Sequence, residues 1–353
     1  MKLFECQNCG QPLYFENDRC MSCGLQLGYL PEEGQMSALE PEGNAWRPLA
    51  EPDRLYRYCT NAVHGTCNWL LPSDQEEALC RACRHNRTIP DLATAENLDR
   101  WQRLERAKHR LFYTLLALGL PLANRTDDPE NGLAFDFLAD PPQPQAARVL
   151  TGHDNGLVTI NLAEADDAER ERIRAAMGEP YRTLLGHFRH EVGHWFWDRL
   201  VAGWGWLDEC RALFGDERAD YGEALARHYA EGPPPDWQER FVSAYASAHP
   251  WEDFAETWSH YLHIVDTLET ARAFGLRIQP RIGRGRELAA RIDFDPNASV
   301  GAERLIDAWL PLTFAVNSLN RSMGQPDFYP FVLPPPVIEK LDFIDRLVHQ
   351  PPA

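Results

Sequence analysis

The sequence predicts an α+β chain: two small cysteine modules in front, then a mainly helical domain over residues 93–353 that carries a small β-sheet. Three observations lead there. Two sets of four cysteines, each containing a Cys-x-x-Cys pair, fall before residue 84. Short apolar runs separated by turn residues lie between 134 and 162. Apolar residues at helical spacing dominate most of the chain beyond residue 180.

At 353 residues the chain can hold one substantial core plus smaller modules. A net charge of −18 argues against a broad phosphate-binding surface, so nucleic acid is a disfavoured partner. The opening MKLFECQNCG passes straight into cysteines without an apolar signal segment. No apolar run reaches bilayer length, so no membrane span is expected; Leu111 to Leu120 is too short and reads as a core helix. With nine cysteines at these spacings, zinc thiolates in a reducing cytoplasm are favoured over disulfides.

Residues 1–30 read as a zinc ribbon. Cys6 and Cys9 form one pair, Cys20 and Cys23 the other, with ten residues between them. Each turn offers two thiolates, and one Zn²⁺ closes the tetrahedron. So short a segment buries too little apolar surface to fold alone, so the metal supplies its stability. Residues 31–52, rich in Pro, Glu and Gly, read as a linker or irregular wrap. Residues 53–92 form a second four-cysteine zinc module of Cys59, Cys67, Cys80 and Cys83, in which His64 or His85 could replace one thiolate. Cys210 is left over and reads as a buried packing residue.

A helix is expected from Ala93 to about Leu118. Its Arg100, Arg103, Arg106, Lys108 and Arg110 read as a solvated face or as partners for acidic neighbours. Strands come next at Ala134 to Leu138, Arg148 to His153 and Leu157 to Leu162, the last two joined at the hairpin signal Asp154-Asn155-Gly156. The strand from Leu157 is a candidate edge for pairing with an extended peptide. An acidic helix from Glu164 to Met177 and a buried one from Arg182 to Leu200 succeed them. Further helices are expected near 217–231, 236–247, 251–270, 302–320 and 336–349, punctuated by prolines at 233–235 and 334–336.

His190-Glu191-Val192-Gly193-His194 lies in the helix ending at Leu200. Residues four apart share a helix face, so both imidazoles can reach one metal ion. Glu191 can then stand beside a metal-bound water and take its proton, the core arrangement of a zinc hydrolase. Such a site wants a third protein ligand. Candidates are Glu223, Glu252, Asp253, Glu256, His260 and His263. Glu252 and Glu256 are four apart on a predicted helix; one could bind zinc while the other hydrogen-bonds a ligand histidine. Asp198, four after His194, either orients that imidazole or forms a helix-surface ion pair, and His187 reads as a core or surface histidine. Trp195, Trp197, Trp204, Trp206, Trp251 and Trp258 are expected to pack around both segments.

His190-Glu191-x-x-His194 with Glu252-x-x-x-Glu256 downstream resembles the gluzincin pattern. Tyr245, then seven positions on Glu252-Asp253-Phe254-Ala255-Glu256, is similar to the anthrax lethal factor type, where a tyrosine precedes an E-F-F-A-E segment; position 253 departs, with Asp for Phe. That likeness implies Glu252 as third zinc ligand, Glu256 as support for a ligand histidine and Tyr245 as the hydroxyl that steadies an oxyanion. Over most of its length the chain resembles a bacterial family of zinc-binding metallopeptidases with N-terminal zinc ribbons. The carrying residues are the cysteine modules, the run from Cys80 to Pro90, Val158 to Asp166 and His190 to Trp195. The resemblance implies a zincin-like domain, one catalytic and two structural Zn²⁺ ions, and a protein or peptide substrate. It fixes a reaction class and not a substrate. The alternative is an adaptor that binds a protein partner through its ribbons and carries an inactive zincin domain.

Overall fold

A computed structural model of the protein describes residues 1–141, 147–177, 179–282 and 288–350. The chain divides into two compact units, Met1–Phe188 and Arg189–Ala353. Among the described residues no helix is long and apolar enough to cross a membrane.

The first unit opens with a hairpin of β1 (Phe4–Glu5) and β2 (Pro12–Leu13), which carries the first cysteine pair in its turn. Next comes a five-stranded antiparallel sheet, in the order β3 (Gln26–Leu30), β4 (Gln35–Glu42), β5 (Ala45–Pro48), β6 (Tyr56–Tyr58) and β7 (Leu70–Pro72). Its first and last strands approach at an isolated bridge between Tyr29 and Trp69, so the sheet curls back on itself. The segment 31–52, expected as a linker or irregular wrap, instead supplies β4 and β5. Its prolines and acids masked the buried run Met36-Ser37-Ala38-Leu39, which is apolar enough to sit at the sheet centre. Gln7 ties the ribbon to β4, accepting from Ala38 N at 2.8 Å and donating to Met36 O at 2.9 Å.

Helix α1 (Ala95–Ala117) comes after β8 (Asn86–Thr88) and buries Trp101, Leu104, Leu111, Phe112 and Leu115. Phe15, Tyr29, Trp69 and Tyr113 meet with ring centroids 4.9 to 6.2 Å apart, joining ribbon, sheet and helix. The basic residues of α1 pair with acids as expected: Arg100 with Asp166 at 2.8 Å, Arg103 with Asp99 at 3.0 Å and Arg110 with Glu16 at 2.5 Å. A second sheet runs β10 (Gly152–Asp154), β11 (Leu157–Asn161), β9 (Ala134–Leu138), β8. The hairpin forms at Asn155 and Gly156, both at positive φ. Two expectations change here. β11 lies between β10 and β9, so its backbone is already paired and it is not an edge. The strand expected from Arg148 shrinks to Gly152–Asp154, because Asp140 and Asn161 side chains hold the backbone of Val149 instead of a ladder. Helix α2 (Asp167–Met177) is next, and His187 forms an ion pair with Glu164.

Helix α3 (Leu184–Leu200) carries the HExxH motif. In the second unit come α4 (Leu207–Phe214), α5 (Tyr221–Glu231), α6 (Pro250–Ala273), the two-stranded pair β12 (Arg277–Ile278) and β13 (Ala290–Arg291), α7 (Ala302–Ser322) and α8 (Pro335–His349). Helix α4 was not foreseen; Trp206 and its Phe214 each set a ring 5.8 Å from Phe343 of α8, and Cys210 is buried within it as a packing residue. The helix expected over 236–247 is absent. Those residues make two 3₁₀ turns, Trp237–Glu239 and Tyr245–Ala248, because Ser243 and Ser247 side chains bond to nearby backbone and compete with helix formation.

Helix α6 is the central element of this unit. It packs against α4, α7 and α8, and Phe254 and Trp258 stack towards Phe196 of α3. Asp253 explains its departure from the family pattern: its Oδ2 accepts from Lys340 Nζ of α8 at 2.6 Å, in a pair with both members buried. Removing one member of a buried pair strands the other. Asp253→Leu should therefore destabilise the fold by about 3–5 kcal/mol, and adding Lys340→Met should recover much of it, both read from denaturant midpoints.

Candidate active site

Helices α3 and α6 approach closely where Gly193 faces Ala255. A Cβ on Gly193 would stand 3.0 Å from Ala255 Cα and 3.2 Å from the Trp258 ring, so the contact needs a residue without a side chain. Arg189, buried on α3, adds a bond to Asp266 of α6 at 2.5 Å. The start of α6 is equally defined. His249 is its N-cap, accepting from Trp251 N at 3.1 Å through Nδ1 and donating from Nε2 to Ala219 O at 3.1 Å. Pro250 occupies the first turn, where no amide is needed. Glu252 sits in that turn, where the helix end favours a carboxylate.

This packing brings His190, His194 and Glu252 together. One ligand atom from each lies within 4.8 Å of the others. Glu252 Oε2 is 3.0 Å from His190 Nε2 and 3.7 Å from His194 Nε2. The outer contacts fix which atoms face inward. His190 Nδ1 is 2.7 Å from Glu256 Oε1, whose other oxygen accepts from Ser243 Oγ at 2.6 Å. Glu252 Oε1 accepts from the Tyr221 hydroxyl at 2.6 Å.

The electrostatics favour a cation among these atoms. Burial pushes the His190 pKa down, yet Glu252 and Glu256 overcome it and hold it well above the usual histidine range. Burial likewise pushes Glu252 up, while His190 and His194 hold it well below the carboxylate range. Glu252 is 1% exposed and its Oε2 has no hydrogen-bond donor. A buried carboxylate oxygen in that state is costly unless a cation meets it. Two imidazoles and a carboxylate are a donor set that suits catalytic zinc.

Glu191 acts electrostatically on Tyr221 and Tyr245. The Tyr245 ring is 6.0 Å from His190, and its phenol hydrogen-bonds that of Tyr221. Burial, then the charge of Glu252, pushes the Tyr245 pKa far up, so its hydroxyl keeps its proton. Trp251 packs edge-on to His194 at 6.2 Å and to Trp197 at 5.6 Å, while Trp195 and Trp258 are buried and Trp204 is exposed. Asp198 is exposed and makes no hydrogen bond among the described residues; its influence on His194 is a charge at a distance. His260 bonds Tyr329 at 2.6 Å, and His263 contacts Arg189. Tyr221 and Ser243 were not foreseen. Neither belongs to a motif, and only the fold carries them to Glu252 and Glu256.

The cysteine clusters form as spaced in the sequence. Cys6, Cys9, Cys20 and Cys23 converge, with sulfur pairs at 3.6 and 3.7 Å. Cys59, Cys67, Cys80 and Cys83 do the same, with Cys67 and Cys80 at 3.7 Å. A tetrahedron with Zn–S bonds of about 2.3 Å has sulfurs about 3.8 Å apart, so both clusters fit zinc. Neither His64 nor His85 replaces a thiolate; His85 Nδ1 bonds Leu133 O at 2.9 Å.

Ribbon clusters together with a helix-borne His, His, Glu set define a class, that of zinc-ribbon proteins with a candidate hydrolytic metal centre. Residues 97–347 match the family described as "putative zinc-binding metallo-peptidase", and residues 3–94 match a zinc-ribbon domain. The chain belongs to that metallo-peptidase family. Uncharacterized proteins of Mycobacterium tuberculosis and Mycobacterium bovis are each 44% identical to it over 351 residues, covering 99% of this chain and 96% of theirs. No solved structure matches, and the likeness to lethal factor rests on the two short motifs alone.

Partners that orient a ligand histidine typically contribute about 10–100-fold to metal affinity. Glu256→Ala should weaken metal binding at His190, His194 and Glu252 by that factor, measured by competition with a chromogenic chelator. The two four-cysteine ions should stay in place.

Proposed function

We propose that the chain is a zinc-dependent metallopeptidase that hydrolyses peptide bonds in a protein or peptide substrate. His190, His194 and Glu252 hold the catalytic Zn²⁺, and the two four-cysteine clusters hold structural ones. The observation that carries this reading is the convergence of His190 Nε2, His194 Nε2 and an otherwise unbonded Glu252 Oε2 beside Glu191 and Tyr245. Membership of the metallo-peptidase family supports the same reaction class.

Bound there, the ion would supply Lewis acidity towards a water molecule and the scissile carbonyl. Glu191 is the general base: it takes a proton from the attacking water and delivers it to the leaving amine. Tyr245, kept protonated by burial and neighbouring charge, donates its hydroxyl to the tetrahedral oxyanion. Glu256 fixes the His190 ring so that Nε2 faces the centre, and Ser243 fixes Glu256. Tyr221 occupies one oxygen of Glu252, leaving the other to face the two imidazoles.

Glu191→Gln should retain all bound zinc and lose at least about 100-fold in peptide turnover. Tyr245→Phe should cost on the order of 3 kcal/mol in kcat with little change in metal content. Unchanged hydrolysis in Glu191→Gln would eliminate this mechanism. The full chain should bind three zinc ions, one of them removed by mild chelation together with activity. Two tightly held ions and no hydrolysis would favour a ribbon-based adaptor for a protein partner.

A further inference from the structure

The second cysteine cluster has a donor that the ribbon motif does not supply. In a four-thiolate zinc site the sulfurs retain negative charge, and N–H groups aimed at them stabilise it. Three sulfurs take theirs from the local backbone: Cys80 N donates to Cys59 Sγ, Trp69 N to Cys67 Sγ and Cys83 N to Cys80 Sγ, each at 3.4 Å. Cys83 receives no backbone amide among the described residues. The nitrogen facing its sulfur is Nε2 of His109, on α1, at 3.6 Å.

We propose that His109 is a positioning residue of the second zinc site, donating the fourth N–H···S bond, to the Cys83 thiolate, and thereby locking the zinc module onto α1. The ring is oriented from its other side, with Nδ1 2.7 Å from the Glu105 carbonyl oxygen. A carbonyl oxygen and a thiolate both lack a hydrogen to give, so both ring nitrogens must carry one. The surrounding charges suit a cationic ring. Glu105 Oε2 lies 3.9 Å from Cys83 Sγ, anion beside anion. Lys108 offsets that carboxylate at 2.8 Å and also bonds Asn86, while Trp101 Nε1 donates to Glu105 at 3.2 Å. Glu105, Lys108 and His109 are all buried, so these charges must be balanced locally. The His109 ring also packs edge-on to Trp69 at 5.2 Å, the residue whose amide serves Cys67. One helix, which opens the segment matching the metallo-peptidase family, thus completes the hydrogen bonding of a ribbon-side metal site.

The direct test uses the wild-type full chain with ¹¹³Cd in place of zinc. The ring proton on His109 Nε2 should correlate with the cadmium bound by Cys83, alongside the amides of Trp69, Cys80 and Cys83. His109→Phe should then speed metal release from this site to a chelator on the order of tenfold, with the Cys6, Cys9, Cys20 and Cys23 site of the same molecule unchanged. His109→Gln, which restores an N–H donor, should recover part of that loss. No correlation from the ring proton in the wild-type chain, or equal release from His109→Phe and wild type, overturns the assignment. The cadmium measurement decides the matter even where the phenylalanine variant does not fold.

Discussion

Two carboxylates grip one imidazole from opposite sides, and the catalytic half of the molecule is arranged around that grip. His190 has Glu256 at its Nδ1 and Glu252 near its Nε2. Burying so much negative charge is unfavourable unless protons or a metal ion offset it. The surrounding structure limits where that compensation can sit. Ser243 takes one oxygen of Glu256 and Tyr221 takes one of Glu252, so the remaining acceptor capacity points to the space between His190 and His194. Such pre-orientation separates a site that can select a divalent cation from a chance cluster of acids.

The backbone contribution is equally specific. Helices α3 and α6 must come close enough for side chains on each to share an ion, and the Gly193 to Ala255 contact permits it. Once the helices touch there, a four-residue period on each does the rest: His190 and His194 on one, Glu252 and Glu256 on the other. The buried Asp253–Lys340 pair and the Tyr261–Asp345 bond at 2.8 Å fix α6 against α8 from behind. Asp253 and Glu252 are adjacent acids with opposite tasks, since one faces a lysine in the core and the other faces two histidines.

The first unit uses other physics. Its cysteine modules are too small to be stable through apolar burial alone, and metal coordination supplies what the core lacks. Coordination does not act in isolation, however. Gln7 clamps the first ribbon to β4, and the Phe15, Tyr29, Trp69 and Tyr113 rings join ribbon, sheet and α1 into one packed body. Buried Lys108 and Glu105 place compensating charge beside the second cluster.

Much of this was legible in the chain because it is encoded by local spacing. The CxxC pairs, the i, i+4 histidines, the i, i+4 glutamates and the Asn-Gly hairpin each express a short-range rule that needs no knowledge of the fold. Long helices were visible for the same reason, and their ends moved only by a few residues. What escaped was set by partners distant in sequence. The run at 36–39 became a central strand because a curled sheet could bury it, and the turns over 236–247 formed where serine side chains outcompeted a helix. Tyr221 and Ser243 carry no spacing signal, since a hydroxyl becomes specific only when folding sets it against a buried carboxylate. The sequence by itself determined which side chains could take up metal. Tertiary packing decided which of their atoms were left free to do so, because hydrogen bonds from distant residues consume the others.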